Sequence, residues 1–485
     1  MTFLGSLETA ASERFFSPGI SGRGIRRQMD RIDKPTISPA RWVAYRVLHD
    51  WALGMGFAED LLAREWRLSD LKKEDLHLSQ ELVYGVLRRL RLLDFWIDRL
   101  AAKGIGSLPQ GLVECLRLAL YQLAFLDKVP SHAAVNEAVV LAKRLGFERM
   151  SGVVNGVLRQ FPRRRPELDR GLRAHPNSLA ISSSHPNWLV EWAFERWGEE
   201  KANAWLRQNN RLPGIYLQPL LSRLFPEEDL PDRPDSEKAA AQLVLDRMGA
   251  GEYVEELHSI RLPGGVTPTE LQPFREGLVS VQDPSARQAV LALDPKPGER
   301  IYDLCSAPGG KTCQIADRTR EKGVVISVDR HPERIEKVRD NLQRCGFRTV
   351  QVFCHDLLQP WPEGWEPADG VLVDVPCSGL GTLRRRVDLR YRITRADVEE
   401  LARNSERMLE RASSLVRLGG RLVYSTCTLT REENQDVVAG FLKAHPGEWV
   451  LKKESLFPDW LEAGILPERI PDCDGAFVAR LARTK

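Results

Sequence analysis

The chain has no long hydrophobic run. Its most apolar stretch, LALYQLAFL, spans nine residues, against about 20 for a membrane-crossing helix. The opening MTFLGSLETAASERFF lacks a basic region ahead of an apolar one, so no secretory leader is expected and the protein is expected to be cytosolic. None of the eight cysteines (115, 305, 313, 345, 354, 377, 427 and 473) forms a CxxC pair, and none of the nine histidines stands in HxxxH spacing. That pattern encodes neither a disulfide framework nor a zinc site, and no metal is expected. The default reading of each cysteine is then a small buried hydrophobe. Strong charge of one sign is also missing: the net value is +3, so any nucleic-acid argument has to come from local clusters.

What is present is a chain of 485 residues, long enough for two or three domains with separate cores. With 28% charged and 42% hydrophobic residues, global disorder is excluded. Residues 36–165 carry helical periodicity: in GLVECLRLALYQLAFL, Leu112, Leu116, Ala119, Leu120 and Leu123 fall on one face, which predicts an all-α bundle. RQFPRRRPELDRGLR, with two prolines and six arginines against two acids, reads as a basic linker. Residues 166–275 read as linker plus a small mixed α/β domain, including a helix opened by Pro186 and stopped near Gly198. From 276 to 485 the grammar changes. ERIYDLC, GVVISVD, DGVLVDV and GGRLVYSTC are short β-branched runs with helix-like sequence between them, which predicts a Rossmann-like parallel sheet wrapped by helices, with ligands at the carboxyl ends of its strands.

DLCSAPGGKT, Asp303 to Thr312, tests that expectation. A phosphate-binding Walker loop needs glycine at position 305, where Cys305 stands, and the opening turn then loses the freedom that converges backbone N–H groups on phosphate. Because Asp374 could still close an acidic strand, an ATPase remains an alternative. The GxGxxG pattern fails too. A strand, a glycine turn, a helix and Asp329 ending the next strand suit an adenosyl group without a polyphosphate, the carboxylate accepting from the ribose hydroxyls.

DVPCSG places Cys377 three residues after Asp374 at one strand end, and YSTCT places Cys427 at another. Two thiols facing a cofactor crevice are poorly explained by core packing. In this order, and preceded by VQDPSARQAV, the segments DLCSAPGGKT, DVPCSGLGTLRRR and YSTCT resemble the Sun/RsmB family of RNA (cytosine-C5)-methyltransferases. SHAAVNEAVVLAKR and GVVNGVLRQ in the helical part are similar to the NusB-like RNA-binding domain carried by the RsmB branch. The resemblance implies S-adenosylmethionine as cofactor and ribosomal RNA, in the small subunit, as substrate. It makes Cys427 the nucleophile and Cys377 the group assisting release of the adduct, with Asp374 and Lys311 beside the base. It assigns cofactor binding to Cys305, Ser306, Ala307, Pro308, Gly309, Gly310 and Lys311, then Asp329, Asp356 and Asp374. Carbon 5 of cytosine is too weak a nucleophile to take a methyl group directly, and a thiolate added at carbon 6 makes it an enamine carbon.

LRRRVDLRYR follows Cys377 with five arginines against one acid, so phosphate contacts are expected beside the reactive base. Val387 there stands where a proline is common in the family, a change expected only to loosen a turn. A target cytosine must leave its stack, which favours single-stranded or loop RNA. A monomer is expected, with no membrane or DNA partner. A non-catalytic RNA-binding assembly factor is the alternative of another class.

Overall fold

The computed structural model describes residues 37–226, 233–461 and 472–485. The chain divides into two compact units, one made of residues up to Asn210 together with Arg386–Arg392, the other of Arg211–Arg385 and Ile393–Lys485.

The first unit is helical: α1 (Pro39–Ala52), α2 (Ala58–Leu68), α3 (Lys73–Arg88), α4 (Leu90–Leu100), α5 (Gln110–Phe125), α6 (Ser131–Arg144), α7 (Ser151–Arg173), α8 (Ser178–Ser182) and α9 (Asn187–Gln208). The stripe on α5 understates its role. Every residue from Gly111 to Gln122 is buried, as expected of a central helix with neighbours on all sides. Two polar side chains in this unit are neutralised locally: Arg117 on α5 forms a two-pronged pair with Asp94 at 2.7 and 2.8 Å, which is the geometry that makes a buried guanidinium tolerable.

Helix α7 corrects the linker reading and crosses the boundary expected at 165. It runs through both Pro162 and Pro166. The two rings lie four residues apart on the exposed side, while Phe161 and Leu168 continue the buried face. Arg164 pairs with Glu167 and Arg165 with Asp169, and Arg165 also stacks 4.4 Å from the Trp96 ring. Packing and local ion pairs thus outweigh the two missing N–H donors. In α9 the expected stop at Gly198 is a sharp break, with φ 75° and ψ 175°, after which a second helical stretch follows.

The second unit holds two sheets. The smaller is β1 (Tyr216–Pro219), β2 (Glu252–Val254), β3 (Ser259–Arg261) and β4 (Val279–Val281), antiparallel throughout, in the order β2-β3-β1-β4. Because β1 pairs with β4, this sheet continues past the boundary expected at 275. Helices α10 (Leu221–Leu224), α11 (Arg233–Met248) and α12 (Gln272–Arg275) belong to the same part of the chain, and Ala241 and Val244 of α11 pack on Leu217, Ile260 and Val279 of the strands.

The larger sheet is β5 (Arg300–Leu304), β6 (Val324–Asp329), β7 (Gln351–Cys354), β8 (Ala368–Asp374), β9 (Val416–Thr426), β10 (Trp449–Phe457) and β11 (Ala476–Arg483), in the order β10-β11-β9-β8-β5-β6-β7. The five strands from β9 to β7 are parallel, and β10 and β11 are antiparallel additions at one edge. Helices α13 (Pro284–Leu293), α14 (Gly310–Thr319), α15 (Pro332–Cys345), α16 (Arg395–Ser413) and α17 (Gln435–Ala444) accompany it. Register brings Leu304, Val328 and Val373 level, and Asp374 level with Ser425. The carboxyl ends of β5, β6, β8 and β9 therefore open on one rim. The chain progresses one way from β5 to β6 and the other way to β8, so the rim includes the switch point where open α/β sheets bind ligands. Among the described residues no helix is long and apolar enough to cross a membrane.

Candidate active site

The glycine loop leaves β5 through Cys305, which adopts a left-handed φ of 61°. Gly309 is the position where only glycine fits: its φ is 99°, and an added Cβ would lie 3.0 Å from the backbone of Val338. That close approach seats the start of α14 against α15. Asp329, at the end of β6, holds the loop from below. One carboxylate oxygen accepts from Ala307 N at 3.2 Å and the other from His331 N at 3.1 Å. Ser306 and Ala307 are buried and Pro308 is exposed. Asp356 accepts from Leu358 N at 3.0 Å and so also ties its own turn.

Beneath the loop is a group that sequence reasoning passed over. Asp303, the fourth residue of β5, is fully buried. Its Oδ2 accepts from Thr312 Oγ1 at 2.6 Å, and its Oδ1 has no hydrogen-bond partner. Burial pushes this carboxyl up to about 7; Thr312 and the Lys311 charge oppose the rise, and Asp374 and Asp329 add to it. A folded-state value above the ordinary 3.8 means that this group's contribution to stability is complete below about pH 4 and is lost as pH rises through about 7. Asp303→Asn is therefore expected to gain melting temperature relative to the parent as pH rises from 5 to 8 in cofactor-free protein. Thermal melts across that range check it, and a pH-independent difference would contradict it.

On the neighbouring strand end, Lys311 Nζ donates to Asp374 Oδ2 at 2.7 Å. Burial alone would lower the Lys311 ammonium, yet Asp374, with smaller help from Asp303 and Cys427, holds it above its ordinary value. Lys311 is accordingly a cation within electrostatic reach of Cys427. The two thiols meet: Cys377 Sγ lies 3.3 Å from Cys427 Sγ, and Cys427 N donates to Cys377 Sγ, also at 3.3 Å. Both residues are half-buried. The Cys427 sulfur, followed by burial and the nearby Glu433, pushes the Cys377 thiol well up. The default reading of a buried hydrophobe holds for Cys115, Cys313, Cys345 and Cys473, all buried, whereas Cys354 is exposed.

The loops bearing the thiols are stitched by backbone. Gly381 N donates to Cys427 O at 3.0 Å, and Gly475 N donates to Gly381 O at 2.8 Å. A Cβ on Gly381 would sit 2.3 Å from Gly475 O and 2.8 Å from Cys427 O, so the contact requires glycine.

The arginines after Cys377 correct the phosphate expectation. Arg384, 2% exposed, meets Asp283, Asp472 and Asp474, and Arg385 meets Asp283 and Asp474. Within the helical unit, Arg390 is buried on Asn209 O at 3.1 Å and Asn210 Oδ1 at 2.9 Å. Arg392 stacks on Phe57 and donates to Gly56 O. Arg386 stacks on Phe57 but stays exposed. Val387 is fully buried in the helical core. The cluster is cohesive: acids lie within reach of the first two arginines, and carbonyls or rings of the others.

Asp303, Asp329 and Asp374, one of them with an unpartnered buried oxygen, converge with a glycine loop that admits close approach. This donor set fits a cationic adenosyl ligand: Cys305 to Lys311, Asp329 and Asp356 would hold it, and S-adenosylmethionine is the cofactor that supplies an activated methyl group there. Comparison with known proteins agrees. The model of the 16S rRNA methyltransferases RsmB/F matches residues 290–482, and that of the NusB family matches residues 38–163. The probable ribosomal RNA small subunit methyltransferase B of Synechocystis sp. is 36% identical over 420 residues, covering 84% of this chain and 92% of that one. The ribosomal RNA small subunit methyltransferase B of Vibrio cholerae is 34% identical over 390 residues, covering 78% and 83%. Among solved structures, PH0851 shares the fold over 93% of this chain and 100% of its own (TM-score 0.66, 24% identity). NSun6 from Pyrococcus horikoshii with SFG does so over 62% and 98% (TM-score 0.50, 21% identity). With an RsmB/F catalytic part, a NusB part and this extent of identity, the chain belongs to the ribosomal RNA small subunit methyltransferase B family.

Proposed function

We propose that the protein methylates carbon 5 of a cytosine in small-subunit ribosomal RNA through a covalent Cys427 adduct at carbon 6. The observation that carries this reading is the pair of thiols 3.3 Å apart on adjacent strand ends, beside the Lys311–Asp374 ion pair.

The Cys427 thiolate adds to carbon 6, and the electron pair of the 5,6-double bond moves toward carbon 5, which takes the methyl group as the donor's methyl–sulfur bond breaks and its electron pair stays on the departing thioether. The carbon 5 proton then leaves to a base as the carbon–sulfur pair returns to Cys427, restoring the double bond; Cys377 assists this release. Lys311 favours the Cys427 thiolate electrostatically. The ion pair also suits the base. Cytosine offers an acceptor at N3 next to a donor amino group, matched by an ammonium beside a carboxylate, whereas uracil presents the reverse pattern. Asp374 thus accepts from the amino group beside N3, and Lys311 faces N3 and stabilises the charge that grows on the ring.

The helical unit, with its NusB match, serves as an RNA-binding part, and the target is a cytosine in single-stranded or loop RNA, because a stacked base cannot reach the strand ends. The protein acts as a monomer in the cytoplasm. The test is transfer of labelled methyl from S-adenosylmethionine to small-subunit RNA lacking its modifications, followed by digestion to nucleosides. Label in 5-methylcytidine is expected. RNA binding with no transfer, or label on another nucleoside, would overturn the reading.

A further inference from the structure

Neither the cofactor loop nor the ion pair holds together two thiols that are separated by 50 residues of chain and sit in van der Waals contact. Glu433, in the turn ahead of α17, touches the segments that carry both. It is fully buried. One carboxylate oxygen accepts from Ser378 N at 2.7 Å; the other accepts from Ser378 Oγ at 2.5 Å and Thr430 Oγ1 at 2.7 Å. Ser378 follows Cys377 directly, and its hydroxyl also lies 2.7 Å from Thr428 Oγ1, the residue after Cys427. The adjacent Asn434 completes the clamp: its side chain accepts from Thr426 Oγ1 at 2.6 Å and donates to Thr428 O at 3.1 Å, gripping the residues on either side of Cys427.

We infer that Glu433 is a positioning residue that fixes the two cysteine loops against each other and makes their thiols unequal, Cys377 as the proton-bearing partner and Cys427 as the nucleophile. The inference rests on the two-cysteine reading above. A buried carboxylate with three donors is held in one orientation, and its negative charge disfavours a second anion on Cys377, where it adds to the effect of Cys427 and burial. Burial pushes Glu433 itself upward, while Ser378, Thr430 and Thr428 pull it back. Among the described residues, charged or titratable groups near the thiols also include Lys311 of α14 with its partner Asp374 of β8, and the Tyr424 phenol of β9. None of these bridges the two loops as Glu433 does.

Glu433→Gln preserves size and removes the charge; Ser378→Ala preserves the charge and removes the bridge. In the full-length protein, iodoacetamide labelling of Cys377 and Cys427, resolved by peptide mass spectrometry between pH 6 and 9, should favour Cys427 by about tenfold or more, because the thiolate is the reacting form. Glu433→Gln should reduce that preference by about tenfold and lower kcat with KM for RNA unchanged, and Glu433→Asp should restore part of it. Ser378→Ala should reduce the preference by roughly threefold, and it decides the matter if the Gln variant does not fold. A native labelling ratio in folded Glu433→Gln, or in Ser378→Ala, would overturn the inference. Full turnover in Cys427→Ala would instead remove the two-cysteine reading beneath it, whatever Glu433 does.

Discussion

Cys427→Ala is expected to abolish methyl transfer, with a loss of about 10⁴-fold or more, since it removes the nucleophile assigned to carbon 6. Cofactor binding should survive, because the residues that would hold the cofactor, Cys305 to Lys311 and Asp329, all remain. Cys377→Ala should behave differently. The nucleophile, its neighbouring cation Lys311 and the methyl donor all remain, so the RNA is attacked and methylated, but release stalls and a covalent protein–RNA species accumulates. Denaturing gel electrophoresis of reactions with labelled RNA separates the outcomes: a band of added mass for Cys377→Ala, none for Cys427→Ala or for the double variant. Equal, near-normal turnover in both single variants would contradict the assignment.

The second large effect is structural. Arg384 is buried and shared among Asp283, Asp472 and Asp474. Asp283 in turn caps α13 through Ser285 N at 3.0 Å and accepts from Asp474 N at 3.0 Å. Arg384→Met removes the central cation while two nine-tenths-buried carboxylates, Asp283 and Asp474, remain on Arg385. Breaking a buried ion cluster from one side costs about 3–5 kcal/mol. The segment after Asp474 continues into Gly475, which bonds to Gly381 and through it to Cys427 O, so methyl transfer should fall together with the denaturation midpoint of the sheet-bearing unit. A midpoint shift equivalent to less than about 1 kcal/mol would show that the cluster is solvent-compensated.

The central strands β5, β6, β8 and β9 were legible because each carries a buried apolar run and ends in, or leads directly into, an acid or thiol that packing alone does not demand. Strand β7 is short and lies at the sheet edge, and β10, WVLKKESLF, carries charges on residues that the sheet leaves exposed; neither shows the apolar continuity of the central strands. Helix α7 was misread because proline propensity is local, whereas the decision lay with Phe161, Leu168 and the Arg165–Trp96 contact. The arginines after Cys377 illustrate the same limit. Charge runs look alike whether they face phosphate or buried aspartates, and the acids that meet Arg384 stand about 90 residues later or 100 earlier in the chain. Glu433 had a faint signal, an acid six residues after Cys427 beside an asparagine, but its partner Ser378 is 55 residues away. Asp303 was in view within DLCSAPGGKT, and only its burial reveals the orphaned oxygen.

The account stands or falls on which sulfur bonds to the RNA. In Cys377→Ala incubated with S-adenosylmethionine and unmodified small-subunit RNA, then digested with nuclease and protease, mass spectrometry should find a methylated cytidine nucleotide on the peptide containing Cys427. The same nucleotide on any other residue, or an RNA methylated at full rate with no modified peptide in any variant, would contradict it.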